Sequence, residues 1–310
     1  GGGGTPPAFM TGAPAAAGRR EGTAMERRQE TRGAGRAAGG LMDLHTHSAC
    51  SDGDRAPAAL VESAAQSGVG LLALTDHDSV RGVPEAVAAG RRLGLPVVPG
   101  VEMSNEFPQE LHILGLGVDV ENPALLAELA AAQERRRARG RLILERLCAL
   151  GADARPYLAA PEAAATRVHI ALALVSGGFA ADVKDAFARY IGRGAPAYVA
   201  LPRPAPARVI ALISGAGGIP VLAHPCHLKG DVHAIVRELC ALGLRGIEAY
   251  YPTSTPGQTE LFLSLAAQHG LLVTCGSDFH GDHRPAARLG CAYRDDPALE
   301  RTRKALLERL

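Results

Sequence analysis

Along this chain, short apolar runs end in polar clusters and alternate with amphipathic, alanine-rich stretches. The runs are Leu41–His47, Val69–His77, Leu95–Ser104, Leu111–Val118, Ile219–Pro225, Leu244–Pro252 and Leu271–His280. Between most of them lie Pro57–Gly68, Pro84–Gly94, Asp231–Gly243 and Pro256–Gly270, each ending on a glycine suited to a helix C-terminus. Alternation of strand and helix predicts βαβ units and a mostly parallel sheet. Seven such strands predict a barrel-like α/β fold rather than a short open sheet.

Residues 122–198 break the rhythm, because no convincing buried strand falls there. Asn122 followed by Pro123 reads as an N-cap with proline in the first turn. A long helix then runs toward Gly151, with Leu125, Leu126, Leu129, Leu142, Ile143, Leu147 and Leu150 as its apolar positions. More helix is expected around Val168–Gly177 and Val183–Ile191. The reading is a helical insertion domain, residues 122–199, set into a barrel domain made of residues 41–121 and 200–292. Proline-rich Leu201–Ala207 returns the chain to the barrel, and residues 293–310 form a C-terminal helix with an exposed charged face. Residues 1–40, almost without large apolar side chains, are expected to be a disordered tail.

Composition narrows the function classes. Hydrophobic residues are 47% of the 310, enough for a sizeable core, and no apolar run is long enough for a membrane span. Lysine and arginine (33) balance aspartate and glutamate (32), which argues against a globally basic nucleic-acid coat. Tryptophan is absent and aromatics are 4%, so base-stacking platforms would be thin. Six cysteines without a Cys-x-x-Cys pair fit a reducing, cytoplasmic setting. No stable protein partner is evident.

The eleven histidines decide the chemistry. The first strand carries His45 and His47, with Asp52 following in Ser-Asp-Gly. The second ends Thr75-Asp76-His77-Asp78, the third Gly100-Val101-Glu102, and the fourth opens Leu111-His112. The fifth ends Ala223-His224-Pro225 and the seventh Ser277-Asp278-Phe279-His280. On a strand, residues i and i+2 share a side, so His45 and His47 can face one ion. A lone strand-end histidine is ordinarily structural. Six of them with Asp52, Glu102 and Asp278, all at successive strand ends, would be costly to bury without a metal. In a barrel of parallel strands those ends converge on one face. His227 and His283 flank these motifs, as solvated loop residues or as supports for the ligands. Cys50 and Cys226 lie beside them without a spacing that supports thiolate ligation. The run Arg135, Arg136, Arg137, Arg139 and Arg141 reads as a solvated helix face.

These motifs resemble the PHP (polymerase and histidinol phosphatase) family from Met42 to about Gly290. They are Asp43-Leu-His-Thr-His-Ser with Ser51-Asp-Gly, Leu74-Thr-Asp-His-Asp, Pro99-Gly-Val-Glu, Ala223-His-Pro and Gly276-Ser-Asp-Phe-His. The resemblance implies a distorted seven-stranded (β/α)7 barrel and a polynuclear metal site of two or three divalent ions. By it, His45, His47, Glu102 and Asp278 hold the first metal. Glu102, His112 and His224 hold the second, and Asp52, His77 and His280 the third. The nitrogen and oxygen ligand set suits Mn, Fe or Zn without choosing among them, and Mn is the first expectation. Three divalent ions outweigh three carboxylates, so the centre should attract an anion such as a phosphate ester. The expected chemistry is attack on phosphorus by a metal-bridging hydroxide.

Within the family the chain looks most like the group with a helical insertion that hydrolyses 3′,5′-bisphosphonucleotides and trims short RNA from its 5′ end. The stretches that carry this likeness are Leu111-His-Ile-Leu-Gly-Leu, Thr166-Arg-Val-His-Ile-Ala, residues 183–199 and Gly246-Ile-Glu-Ala-Tyr-Tyr-Pro, with Val168 where that group often has proline. Arg167 above all, then Lys184 and Arg193, are the candidates for gripping a second phosphate of a nucleotide or short RNA substrate. The alternatives are a small-monoester phosphatase acting on a compound such as histidinol phosphate, a metal-dependent amidohydrolase, and a non-catalytic nucleotide-binding module. The amidohydrolase usually wants a bridging lysine on a middle strand, and the only lysines are Lys184, Lys229 and Lys304.

Overall fold

Seven strands form one sheet in the simple order β1 to β7: β1 Leu41–Asp43, β2 Val69–Leu74, β3 Val97–Glu106, β4 Glu110–Leu116, β5 Ile219–Leu222, β6 Gly246–Tyr250 and β7 Leu272–Cys275. The structure, a computed structural model, describes residues 1–3, 40–106, 109–159, 166–284 and 287–310. Apart from its first three residues and Gly40, the expected disordered tail lies outside the described residues. Each of the seven apolar runs coincides with a strand, and all but β3 stop before the residues that end the run. His45, His47, His77, His224 and His280 therefore sit just past the ladders, whereas His112 lies within β4.

Pairing is parallel except around β4, which runs antiparallel to both β3 and β5. The βαβ reading fails there because only residues 107–109 separate β3 from β4, too few for a crossover. The reversal places the start of β4, with His112, at the same rim as the ends of its parallel neighbours. β1 and β7 share no ladder. Beyond them, however, Leu44 N–H donates to the Cys275 carbonyl (3.0 Å), Asp278 N–H to that of His45 (2.9 Å) and His47 N–H to that of Phe279 (2.9 Å).

Helices α1 (Pro57–Gln66), α2 (Val83–Leu93), α6 (Pro206–Gly215), α7 (Val232–Ala241), α8 (Pro256–His269) and α9 (Pro297–Leu307) flank the sheet. α6 begins at the end of the proline-rich return segment Leu201–Ala207 and runs on to Gly215 as a helix that the hydrophobic pattern does not predict. Its signal is Pro206 in the first turn before Val-Ile-Ala-Leu-Ile, with Val209, Ile210, Leu212 and Ile213 buried. α8 starts with a reciprocal capping box between Thr255 and Gln258 and ends at left-handed Gly270. The main core is aliphatic, formed by residues such as Leu72, Val98, Ile113, Val221 and Ile247 of the strands and Leu60, Val209 and Leu265 of the helices.

α3 (Pro123–Ala149) is the long helix expected from Asn122, whose side chain accepts the Leu125 N–H at 3.0 Å. Its two halves serve different cores. Leu125 and Leu129 join the main one, whereas Ile143, Leu144 and Leu147 join a second cluster with Ile170 and Leu174 of α4 (Arg167–Ser176) and Ile191. α5 (Val183–Ala186) continues into a π-turn at Phe187–Ile191. No described helix is long and apolar enough to cross a membrane.

The arginine run on α3 is only partly solvated. Arg137 and Arg141 pair with exposed Glu134, but Arg139 is buried and Arg136 turns inward. Arg136 Nε donates to Asp78 Oδ2 at 2.7 Å, and its Nη2 to Ser104 Oγ at 3.0 Å. Gln133, one turn earlier, donates to the Asp78 carbonyl at 3.1 Å. The long helix α3 thus grips the turn after β2. Arg136→Met strands a buried carboxylate and should lower stability by about 2–4 kcal/mol. Arg137→Met should cost under about 1 kcal/mol, because that pair is exposed. Urea denaturation of both variants checks the contrast.

Candidate metal centre

The site is built around one side chain. Glu102 points from β3 into the rim and is wholly buried. Its Oε1 lies 2.8 Å from His112 Nδ1 and 3.1 Å from His224 Nε2. Its Oε2 lies 2.8 Å from His77 Nδ1, 3.2 Å from His47 Nε2 and 3.4 Å from His45 Nε2. Five imidazoles from four segments of chain therefore meet one carboxylate. Asp278 adds a second, with Oδ1 at 3.5 Å from His45 Nε2 and 3.3 Å from His47 Nε2. Asp52 adds a third. Its Oδ1 is 3.3 Å from His280 Nε2 and its Oδ2 3.8 Å from His77 Nε2.

All nine residues expected as ligands are thus brought together. Three sets have ligand atoms close enough to share an ion: His45, His47 and Asp278; His47, Asp52, His77 and His280; His77, Glu102 and His112. No cysteine belongs to these sets, so thiolate ligation gains no support.

The local backbone is strained to achieve this. Asp78, His224 and Asp278 are the non-glycine residues with positive φ among the described residues (46°, 31° and 52°), and two of them are expected ligands. The i, i+2 geometry of His45 and His47 survives although β1 ends at Asp43. That of Asp278 and His280 does not come from a strand, since β7 ends at Cys275 and Asp278 is left-handed. Gly276 is obligatory beside them, because a Cβ there would lie 2.2 Å from His45 Cβ.

The donor set fits divalent ions on a direct observation. His45 Nε2, both ring nitrogens of His47, Asp52 Oδ1, His77 Nδ1, Glu102 Oε2 and His280 Nε2 are buried atoms without a hydrogen-bond partner. Several approach one another closely, yet they are not aligned as hydrogen bonds. Buried polar atoms are ordinarily satisfied, so this concentration marks a place shaped for something else. Electrostatics agree. Burial pushes the Glu102 carboxyl upward, but His77, His112 and His45 outweigh it and hold it well below the usual range. Asp52 and Asp278 are held low in the same way, by His77 and His280 and by His45 and His47. Burial lowers His45, and Glu248, Glu102 and Asp278 more than reverse it.

Several supporting residues escape the sequence reading. Glu248 on β6, wholly buried, accepts from His45 Nδ1 at 3.1 Å and from the His224 N–H at 2.7 Å. Asp76 accepts from Ser48 N–H, Ser48 Oγ and Ser51 Oγ. Asp43, its carboxyl pushed up to about 6 chiefly by burial, accepts from Ser277 and Gly290 N–H and ties β1 to the segment after β7. Tyr251 Oη donates to Asp278 Oδ2 at 2.8 Å, and Arg284 pairs with the same oxygen. Asp76 and Asp43 lie inside quoted motifs, which was the available signal. Glu248, in the Gly246-Ile-Glu-Ala-Tyr-Tyr-Pro stretch, had none of its own as a support.

His227 packs edge-on against Tyr251, with ring centroids 5.3 Å apart, and the side chain of His283 lies outside the described residues. The substrate candidates Arg167, Lys184 and Arg193 belong to none of these ligand sets. The Arg167 guanidinium opens α4 over the Phe187 ring at 5.7 Å, and Lys184 and Arg193 are exposed.

Comparison with known proteins agrees with this architecture. The PHP domain model matches residues 43–159. The chain is 36% identical over 248 residues to a 3′,5′-nucleoside bisphosphate phosphatase of Chromobacterium violaceum, covering 77% of this chain and 87% of that one. It is 37% identical over 249 residues to the 5′-3′ exoribonuclease Rnm of Salmonella typhimurium, covering 77% and 85%. A solved structure from Chromobacterium violaceum, described as an amidohydrolase with bound sulfate and no metal, superimposes with a TM-score of 0.78 at 33% identity. That match covers 87% of this chain and 96% of the other. With such relatives over most of its length and clustered histidine and carboxylate ligands at its rim, the chain belongs to the PHP-domain family of metal-dependent phosphoesterases.

Proposed function

We propose that the chain removes phosphate from nucleotides, either 3′,5′-bisphosphonucleotides or the 5′ ends of short RNA. The observation that carries this reading is the convergence on Glu102, in a chain whose relatives of matching length bear those activities. The sheet is read as a distorted barrel joined at its rim by the bonds between residues 44–47 and 275–279. Residues 122–199 are read as the insertion domain, supported by the second apolar cluster.

In this reading His45, His47, Glu102 and Asp278 would hold one divalent ion, Glu102, His112 and His224 a second, and Asp52, His77 and His280 a third. Mn is the first choice. Bound ions would supply Lewis acidity and bring the pKa of a water near neutrality. The chain's own contribution is positioning. Tyr251 and Arg284 occupy Asp278 Oδ2 and leave Oδ1 facing His45 and His47. Arg136 and Gln133 hold the strained turn that presents His77. Near-complete burial of the carboxylates excludes bulk water and strengthens every charge interaction at the centre. Arg167 is read as the grip on a second phosphate.

The test is phosphate release from a 3′,5′-bisphosphonucleotide, a 5′-phosphorylated RNA dinucleotide and histidinol phosphate, with Mn and after chelation. The nucleotide substrates should turn over faster and only with metal. Preference for histidinol phosphate would move the small-monoester reading ahead, and full activity in a metal-free preparation would remove the metal mechanism.

A shared carboxylate should matter more than a terminal ligand, since its loss affects two ions. Glu102→Ala should lower bound metal by more than one equivalent and abolish turnover. Retention of full metal content, read by elemental analysis, would contradict the shared role.

Arginine–phosphate contacts are charge-assisted and worth about 1.5–3 kcal/mol. Arg167→Ala should therefore reduce kcat/KM for a bisphosphonucleotide roughly ten- to a hundredfold. Hydrolysis of a simple aryl phosphate should barely change. Equal losses on both substrates would mean a general defect rather than a lost second-phosphate contact.

A further inference from the structure

We infer that Glu248 is a positioning residue that sets two ligands of the metal centre at once, His45 through its ring and His224 through its backbone. The inference rests on the metal-centre reading and is independent of which phosphate ester is the substrate.

β6 is buried along Gly246–Ala249, and Glu248 is inaccessible to solvent in the middle of it. A carboxylate there is expensive unless its oxygens are used. Both are. Oε1 lies 3.1 Å from His45 Nδ1, and Oε2 lies 3.3 Å from the same nitrogen and accepts the His224 N–H at 2.7 Å. Among the described residues His45 is its ion-pair partner, and no lysine or arginine reaches it. It belongs to none of the sets able to share an ion. Its place is behind the ligands.

The consequence for His45 follows from donor chemistry. An ionised carboxylate can only accept, so the proton between them resides on Nδ1. That leaves Nε2 as the atom presented to Glu102 and Asp278, where it is buried with no hydrogen-bond partner. A histidine ligand whose far nitrogen donates to a carboxylate is fixed in tautomer and ring orientation, and is more basic.

The consequence for His224 is conformational. Its φ of 31° is left-handed, a costly state for a residue with a β-carbon. The short N–H bond to Glu248 holds the backbone there, with Nε2 3.1 Å from Glu102 Oε1. Space around Glu248 is specific as well, because a Cβ on Gly276 would lie 2.3 Å from its Oε1. One β6 side chain thereby couples a residue just past β1 to one just past β5, on opposite oxygens of Glu102.

Glu248→Gln keeps the shape but replaces one acceptor by an NH2 group. Either His45 loses its acceptor and presents a protonated Nε2, or the His224 N–H faces another donor. Glu248→Asp keeps the charge but is one methylene too short to serve both. Purified wild type, both variants and Thr302→Val would be stripped and titrated with Mn against a competing chelator, with thermal unfolding followed in stripped and loaded forms. Thr302 is a buried comparator that donates to the Val273 carbonyl away from the ligands.

Both Glu248 variants should bind at least one Mn equivalent ten- to a hundredfold more weakly. Their loaded forms should lose more thermal stability than their stripped forms. Thr302→Val should lower both melting temperatures together with unchanged Mn affinity. Wild-type Mn affinity in either folded Glu248 variant, or equal losses in the two forms, would reduce Glu248 to a packing residue and overturn the inference. Failure of the wild type itself to bind Mn or another divalent ion would instead overturn the metal-centre reading beneath it.

Discussion

Everything at the rim answers to one buried carboxylate. Glu102 has no solvent to stabilise it, and the imidazoles of His45, His47, His77, His112 and His224 crowd its two oxygens within 3.4 Å. Burying a carboxylate among so many imidazoles is costly unless a further charge compensates it. The same crowding leaves ring nitrogens and carboxylate oxygens without hydrogen-bond partners. An arrangement that is poor as a hydrogen-bond network is good as a set of ligands for divalent cations.

Holding it requires a stiff surround. Among the described residues three non-glycine positions adopt left-handed backbone, Asp78, His224 and Asp278, and each is tied down. Arg136 and Gln133 of α3 grip Asp78, Glu248 takes the His224 N–H, and Tyr251 and Arg284 hold the Asp278 carboxylate. Strain of this kind persists only where neighbouring structure over-determines it. α3 contributes by standing in both apolar clusters, so the second cluster and the strand rim are coupled through one helix.

Topology completes the ring of ligands. A purely parallel sheet would send the start of β4 to the far end and take His112 with it. The short β3–β4 connection reverses β4, and His112 then faces Glu102 across the antiparallel ladder, where Glu102 pairs with Leu114 and Ser104 with His112. On the opposite edge, Asp43 and the bonds between residues 44–47 and 275–279 bring the first and last strands' ends together.

The sequence by itself determined the alternation of strands and helices, the long helix after Asn122 and the nine residues that gather at the rim. These signals are local. Hydrophobic period, caps and polar residues at the ends of apolar runs are written within a few neighbouring positions. What only the tertiary structure decided is which distant residues meet. Glu248 is 203 residues from His45 in sequence, and Arg136 is 58 from Asp78, so neither pairing leaves a periodic trace. The reversal of β4, the inward turn of Arg136 out of a run that reads as solvated, and the left-handed ligand turns belong to the same class. Each depends on burial and on partners supplied by another part of the chain, and a carboxylate or guanidinium looks the same in sequence whether water or an imidazole surrounds it.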